Sequence, residues 1–196
     1  RQSTFEEVVG GFDPATAHGW GETAIVAAQI RAVRRKYRID RQRVFLAGLS
    51  SGGGLVSAIA LRRPDLIAGA FVHSGVPCGA ASSALDAFAV LERGTNTDLA
   101  QIARDVRARV GPRTLPVPLL VLHGGEDSVV APVNAAQLVR QFLALNDHPA
   151  ANAGSPEGLP PPDGSTAAST ADGRVVTTSE WRVADRLVAR HVLVDG

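Results

Sequence analysis

The sequence predicts an α/β fold, a mostly parallel sheet with flanking helices. Three observations carry this. Short apolar runs at 44–47, 68–73 and 118–123 are separated by longer stretches with helical periodicity, so strand and helix types alternate along the chain. The middle run is almost continuously apolar, as in a strand covered on both faces of a parallel sheet. The chain has 196 residues and is 45% hydrophobic, enough to bury a core within one domain, residues 1–196.

Each element has local support. Over 21–37, Val26, Ile30, Val33 and Tyr37 recur at helical spacing, with Glu22 near the start and arginines near the end, where they complement the helix dipole. Residues 43–48 read as a short buried strand and 52–63 as a helix stopped by Pro64. A second strand spans 68–73. Residues 82–92 and 98–110 read as helices, the latter with Asp98 as N-cap and Gly111-Pro112 as its stop. A third strand covers 118–123, and the loop 124–131 leads to a helix over 132–145, with Pro132 suited to the first turn. Residues 146–172 are rich in Pro, Gly, Ala, Ser and Thr and read as a flexible surface excursion. The stretches 174–182 and 186–194 read as two strands joined by Val183-Ala184-Asp185. There are no internal repeats.

Composition excludes several classes. A net charge of +1 gives no drive toward nucleic acid, and no apolar run approaches the roughly 20 residues of a membrane span. Arg31, Arg34, Arg35, Lys36, Arg38, Arg41 and Arg43 form one basic cluster. It reads as a solvated face, with a polyanion site as the alternative. Cys78 is the only cysteine, so no intrachain disulfide and no cysteine-rich zinc site can form. Gly52-Gly53-Gly54 lacks the Lys-Ser/Thr of a phosphate loop, and no metal constellation stands out, so the sequence implies no cofactor and no metal. The chain contains no Met, so a removed leader or a larger preceding piece is expected.

Gly48-Leu49-Ser50-Ser51-Gly52 spells G-x-S-x-G between an apolar strand and a helix. At such a turn the glycines leave room for a strained backbone that lifts the Ser50 hydroxyl into the open as a candidate nucleophile. The Ser51 N–H then lies at a helix N-terminus, suited to hold an oxyanion. A structural glycine-rich turn is the alternative. A serine nucleophile needs a base, and the base an orienting acid. The acid candidate is Asp127, at the C-terminal end of the third strand, where open α/β sheets bind ligands. Glu126 is the adjacent alternative, and a solvated, turn-forming Asp127 the structural one.

The stretch 44–81, especially Gly48-Leu49-Ser50-Ser51-Gly52-Gly53 and Val72-His73-Ser74-Gly75-Val76-Pro77-Cys78-Gly79, resembles the polyhydroxybutyrate depolymerase and feruloyl esterase group of α/β-hydrolases. Residues 118–143 continue it, with Gly124-x-x-Asp127-x-x-Val130 and Asn134. The resemblance covers most of the chain except 146–172. It implies an α/β-hydrolase fold with Ser50 as nucleophile, Asp127 as triad acid and the Ser51 N–H as one oxyanion donor. It further implies a serine carboxylic-ester hydrolase acting through an acyl-enzyme on polyhydroxyalkanoate, feruloyl or short-acyl esters, and a secreted protein. An ester substrate is then the one implied partner. In the family the triad histidine follows the last hairpin strand and a second oxyanion donor comes from an early loop. The resemblance therefore implies a catalytic domain incomplete at both ends, its histidine expected just after Gly196 and its second donor before Arg1. Of the histidines present, His191 is the positional substitute, but alternation sets it inside a strand. His73 and His123 read as structural or pocket-lining, and His18 and His148 as solvent-facing. Rival readings are a serine peptidase or acyltransferase on the same scaffold, and a non-catalytic binding module.

Overall fold

A computed structural model of the chain describes residues 21–110 and 117–195. The first helix, α1 (Glu22–Lys36), carries Glu22 in its first turn and Arg34, Arg35 and Lys36 in its last, so both ends suit the dipole. Its buried stripe is Thr23 and Ala27, continued by the half-buried Ile30 and Arg34. Val33 and Tyr37, expected on the apolar face, are instead about half exposed. The buried face is therefore the one marked by Thr23 and Ala27 rather than the one running through Val33 and Tyr37. In the short 3-10 turn Arg41–Arg43, the Asp40 carboxylate caps by accepting from the Gln42 N–H at 2.9 Å.

The sheet begins with β1 (Phe45–Leu49), which runs into α2 (Ser51–Arg62). Next come β2 (Gly69–His73), α3 (Ala84–Arg93) and α4 (Leu99–Val110). Ser83 caps α3 by accepting from the Asp86 N–H, and Asp98 caps α4 through the Gln101 N–H, as its position predicts. The stop expected at Gly111-Pro112 lies outside the described residues. Strand β3 (Leu119–Gly124) precedes α5 (Val133–Leu145), with Pro132 at its N-cap. Strands β4 (Gly164–Ser169), β5 (Val175–Val183) and β6 (Arg186–Val194) complete the sheet.

Its order is β1-β2-β3-β6-β5-β4. The first four in this order are mutually parallel, while β5 and β4 add an antiparallel extension beyond β6. The expected hairpin is present, and Ala184 and Asp185 both have positive φ, 47° and 63°. That is the backbone handedness a two-residue hairpin needs to match strand twist.

Where the composition of 146–172 predicts an excursion without regular structure, part of the segment is built into the fold. Residues Pro149–Asn152 form a 3-10 turn and β4 pairs with β5 along its whole length. All six residues of β4 are exposed. A strand of Gly, Ser, Thr and Ala buries neither face, so it leaves no alternating hydrophobic pattern to read. His148, expected in solvent, is buried and contacts the Asp163 carboxylate through Nε2 at 3.1 Å.

The core lies between the sheet and α2, α4 and α5, with Ile59, Leu61, Val72, Leu119, Leu138, Phe142, Leu143 and Trp181 each fully buried. The opposite face, at Phe45, Ala47, Phe71 and Leu120, is less covered, and Phe45 is 67% exposed. No helix among the described residues is long and apolar enough to cross a membrane.

Candidate active site

Ser50 sits between β1 and α2 with φ 55° and ψ −122°, a backbone conformation that L side chains rarely adopt. This is the strained turn that G-x-S-x-G predicts, and it leaves Ser50 exposed. Two hydrogen bonds hold it: the Ser50 N–H donates to the His73 carbonyl oxygen at 2.9 Å, and the Gly54 N–H donates to the Ser50 carbonyl oxygen at 3.2 Å. Ser51 opens α2, so its N–H has no partner within the helix and points outward with the positive end of the dipole.

The glycines around Ser50 are not equivalent. A Cβ on Gly48 would lie 2.2 Å from the Gly52 carbonyl oxygen, and one on Gly53 would meet Val72 Cγ1 at 2.9 Å and Gly75 Cα at 3.1 Å. A Cβ on Gly52 would meet nothing within 4 Å. The close approach therefore rests on Gly48 and Gly53, rather than on both glycines of the motif.

Asp127 lies just beyond β3, with its side chain 18% exposed. Its Oδ1 accepts from the N–H groups of Val129 at 3.0 Å and Val130 at 2.9 Å. Partial burial works against ionisation, but the Val130 N–H, the Ser74 hydroxyl, the Val129 N–H and nearby His123 outweigh it, so the carboxyl titrates below its ordinary value. Glu126, the sequence alternative, is exposed.

Strands β1, β2 and β3 end at the same sheet edge, with Leu49 paired to His73 and His73 to Leu122, so Ser50, Ser74 and Asp127 leave adjacent strands in turn. Strand β6 ends there too: the Gly125 N–H donates to the Val194 carbonyl oxygen at 2.8 Å. Ser74 is the residue to which the sequence assigned no role. It has φ 46° and is buried at the end of β2, and its hydroxyl is among the groups that hold the Asp127 carboxyl below its ordinary value. A non-glycine residue at positive φ leaves no mark in a pattern of residue types, although its place at the end of a strand facing the acid loop was a usable signal.

The histidines separate clearly. His123 is fully buried, with Nε2 2.7 Å from the Val130 carbonyl oxygen, so it braces the acid loop. Its Nε2 is also 3.6 Å from Asp127 Oδ2, too long for a hydrogen bond. His191 lies within β6, opposite Val121 and Ser179, and is buried. His73 is half-buried at the end of β2, and His148 is tied to Asp163. His18 lies outside the described residues. Among the described residues no group of His, Cys, Asp and Glu could hold a metal ion.

This arrangement can be compared with known proteins. A poly(3-hydroxyalkanoate) depolymerase C from Paucimonas lemoignei is 30% identical over 133 residues, covering 67% of this chain and 32% of the relative. A feruloyl esterase B from Thermothelomyces thermophilus is 30% identical over 64% of this chain and 45% of its own. The chain thus spans between about a third and a half of the length of these relatives. The solved acetyl xylan esterase from Aspergillus awamori superposes with a TM-score of 0.73 at 22% identity, covering 93% of this chain and 64% of that one. This likeness identifies the architecture as the α/β-hydrolase fold. The sequence pattern of the family described as esterase PHB depolymerase matches residues 5–158, so the chain belongs to that family.

Proposed function

We propose that the protein is a serine carboxylic-ester hydrolase that works through an acyl-enzyme. The observation that carries this reading is Ser50 at φ 55°, exposed at the sheet edge where Asp127 also emerges. Ester hydrolysis in relatives of the same family supports it.

In the proposed cycle, Ser50 Oγ attacks the ester carbonyl carbon while a histidine takes the hydroxyl proton and the carbonyl π electrons move onto oxygen. The Ser51 N–H stabilises that oxyanion. Collapse breaks the bond to the leaving alcohol, which takes the proton from the imidazolium. Water then attacks the acyl-enzyme by the same route, releasing the acid and restoring Ser50. Asp127, kept ionised, orients the imidazole and stabilises its charged form. We assign the base to a histidine following β6, because β6 runs to the same edge and meets Gly125 in the acid loop.

Leu49 and Val129, next to nucleophile and acid, are 61% and 69% exposed, which favours an apolar acyl group or polyester chain beside the reacting bond. We take polyhydroxyalkanoate, feruloyl and short-acyl esters as the substrate classes. The test is covalent labelling by a fluorophosphonate together with hydrolysis of p-nitrophenyl butyrate, methyl ferulate and poly(3-hydroxybutyrate) film. Label on Ser50, lost in Ser50→Ala, supports the reading. An unlabelled Ser50 in folded protein overturns it, and cleavage of amides without any ester cleavage would redirect it to a peptidase.

A further inference from the structure

We propose that His123 is a positioning residue, holding Val130, and through it the Asp127 carboxylate, against the sheet that carries the Ser50 turn. The inference rests on the reading of Ser50 and Asp127 given above, and deepens it. His123 lies near the end of β3, ahead of the acid, and is fully buried. Its Nε2 is 2.7 Å from the Val130 carbonyl oxygen. A carbonyl oxygen only accepts, so Nε2 carries the proton in that bond and the ring donates to the loop. The same Val130–Ala131 peptide is held from its other side by α3, where the Ala131 N–H donates to the Leu91 carbonyl oxygen at 2.8 Å. Val130, fixed in this way, presents its own N–H to Asp127 Oδ1 at 2.9 Å. The Asp127 N–H donates back to the carbonyl oxygen of Gly124, the residue after His123, at 3.3 Å. The acid therefore sits inside a loop whose far end His123 ties back to β3.

The bland alternative is a histidine that merely fills the core. The face of β3 that His123 shares carries Leu119 and Val121, both buried, so the strand pattern calls for another apolar side chain at this position. Among the described residues, His123 Nδ1 is buried with no hydrogen-bond partner. A ring with one orphaned nitrogen carries a desolvation cost that an apolar side chain avoids. What it supplies in return is the Nε2–H bond to the acid loop. Val130 also packs with Val76, Ala87 and Val90, which places it relative to α3 and to the residues after β2. His123 ties it instead to β3, the strand from which Asp127 itself emerges, in one sheet with β1 and the Ser50 turn. The same Nε2 is 3.6 Å from Asp127 Oδ2, so the N–H dipole lies close to the carboxylate it positions.

His123→Leu and His123→Gln separate the two accounts, because leucine fills the space without a donor while the glutamine amide can place an N–H where Nε2 stands. The full protein is assayed below its unfolding temperature, with circular dichroism to show that each variant is folded. In His123→Leu, kcat for p-nitrophenyl butyrate and the rate of Ser50 labelling by a fluorophosphonate should both fall about 10- to 100-fold, since misplacing a catalytic group by about 1 Å costs on that order, with KM nearly unchanged. His123→Gln should recover to within about fivefold of the parent. If His123 acts through Asp127, His123→Leu adds no further loss to Asp127→Asn, a readout that a histidine filling space would not give. His123→Asn, whose amide stops one carbon short, replaces the leucine variant if that does not fold. Parental kcat and labelling in the donor-free variant, a glutamine variant no better than leucine or asparagine, or a loss that multiplies with that of Asp127→Asn overturns the inference while leaving the hydrolase reading intact. An Asp127→Asn protein with parental activity overturns the acid assignment itself, and this inference with it.

Discussion

Gly48 and Gly52 approach so closely across the Ser50 turn that a Cβ on Gly48 would lie 2.2 Å from the Gly52 carbonyl oxygen. The obstacle is backbone, which no rotamer change relieves. Gly48→Ala is therefore expected to destabilise by about 3 kcal/mol or more, or to yield no soluble protein. Gly52→Ala should fold and gain up to about 1 kcal/mol, because its Cβ position is open and alanine is the better helix former. Chemical denaturation of the two variants checks the contrast, and equal losses would contradict it.

Asp127 and Glu126 are adjacent in sequence but opposite in environment, one held by backbone N–H groups and the other exposed. Asp127→Asn should lower kcat/KM for a p-nitrophenyl ester by about 10^3 to 10^4, the scale seen when a triad acid loses its charge with its geometry kept. Glu126→Gln should leave it within about twofold. Because Asp127 titrates below the ordinary carboxylate range, it stays ionised through neutral pH and well into the acid range. Steady-state kinetics on both variants tests the assignment, and a larger loss from Glu126→Gln would reverse it.

Much of this architecture was legible because burial writes periodicity into sequence. Strand β3, with Leu119, Val121 and His123 buried in alternation, and α5, with most of its length in the core, were both clear. The elbow was legible because a strained serine turn demands small neighbours. Strand β4 was not, because its residues bury nothing and are held only by pairing to β5. His148 misled for a related reason: its partner Asp163 lies fifteen residues on, across a segment whose composition reads as unstructured. The conformation of Ser74 was invisible because a positive φ at a non-glycine residue leaves no mark in a pattern of residue types.

Arg140 illustrates how that segment is anchored. From α5 its guanidinium donates to the carbonyl oxygens of Ala151 and Ala153 at 2.9 Å, Ser155 at 2.7 Å and Gly158 at 3.0 Å. Burial lowers its pKa, so the environment sets a desolvation cost against these bonds. Arg140→Lys keeps the charge but not the planar fork, and should cost about 2 kcal/mol while raising amide exchange or protease cutting within 150–158. Parental protection of that segment in the variant would show that the loop holds itself.

His191 offers a pH test of the core. It lies within β6, and its Nε2 is buried without a partner. Burial, with a smaller contribution from neighbouring His123, pushes its pKa down from 6.5 to about 4. Arg93 and Glu157 stand with it around the same cavity. The folded protein therefore resists protonation that the unfolded chain accepts. The unfolded state binds the extra proton between pH 6.5 and 4, so stability falls as pH drops through that window and is fully present above it. The shift corresponds to an upper limit of about 3 kcal/mol. The carboxyls of Asp127, Asp163 and Glu180 are depressed below their ordinary values, so their contributions are lost at the lower end of this range and beyond. Urea unfolding at pH 7.5, 6.0 and 5.0 should show a decline in the parent that His191→Gln flattens. An equally steep decline in the variant would assign the acid sensitivity elsewhere.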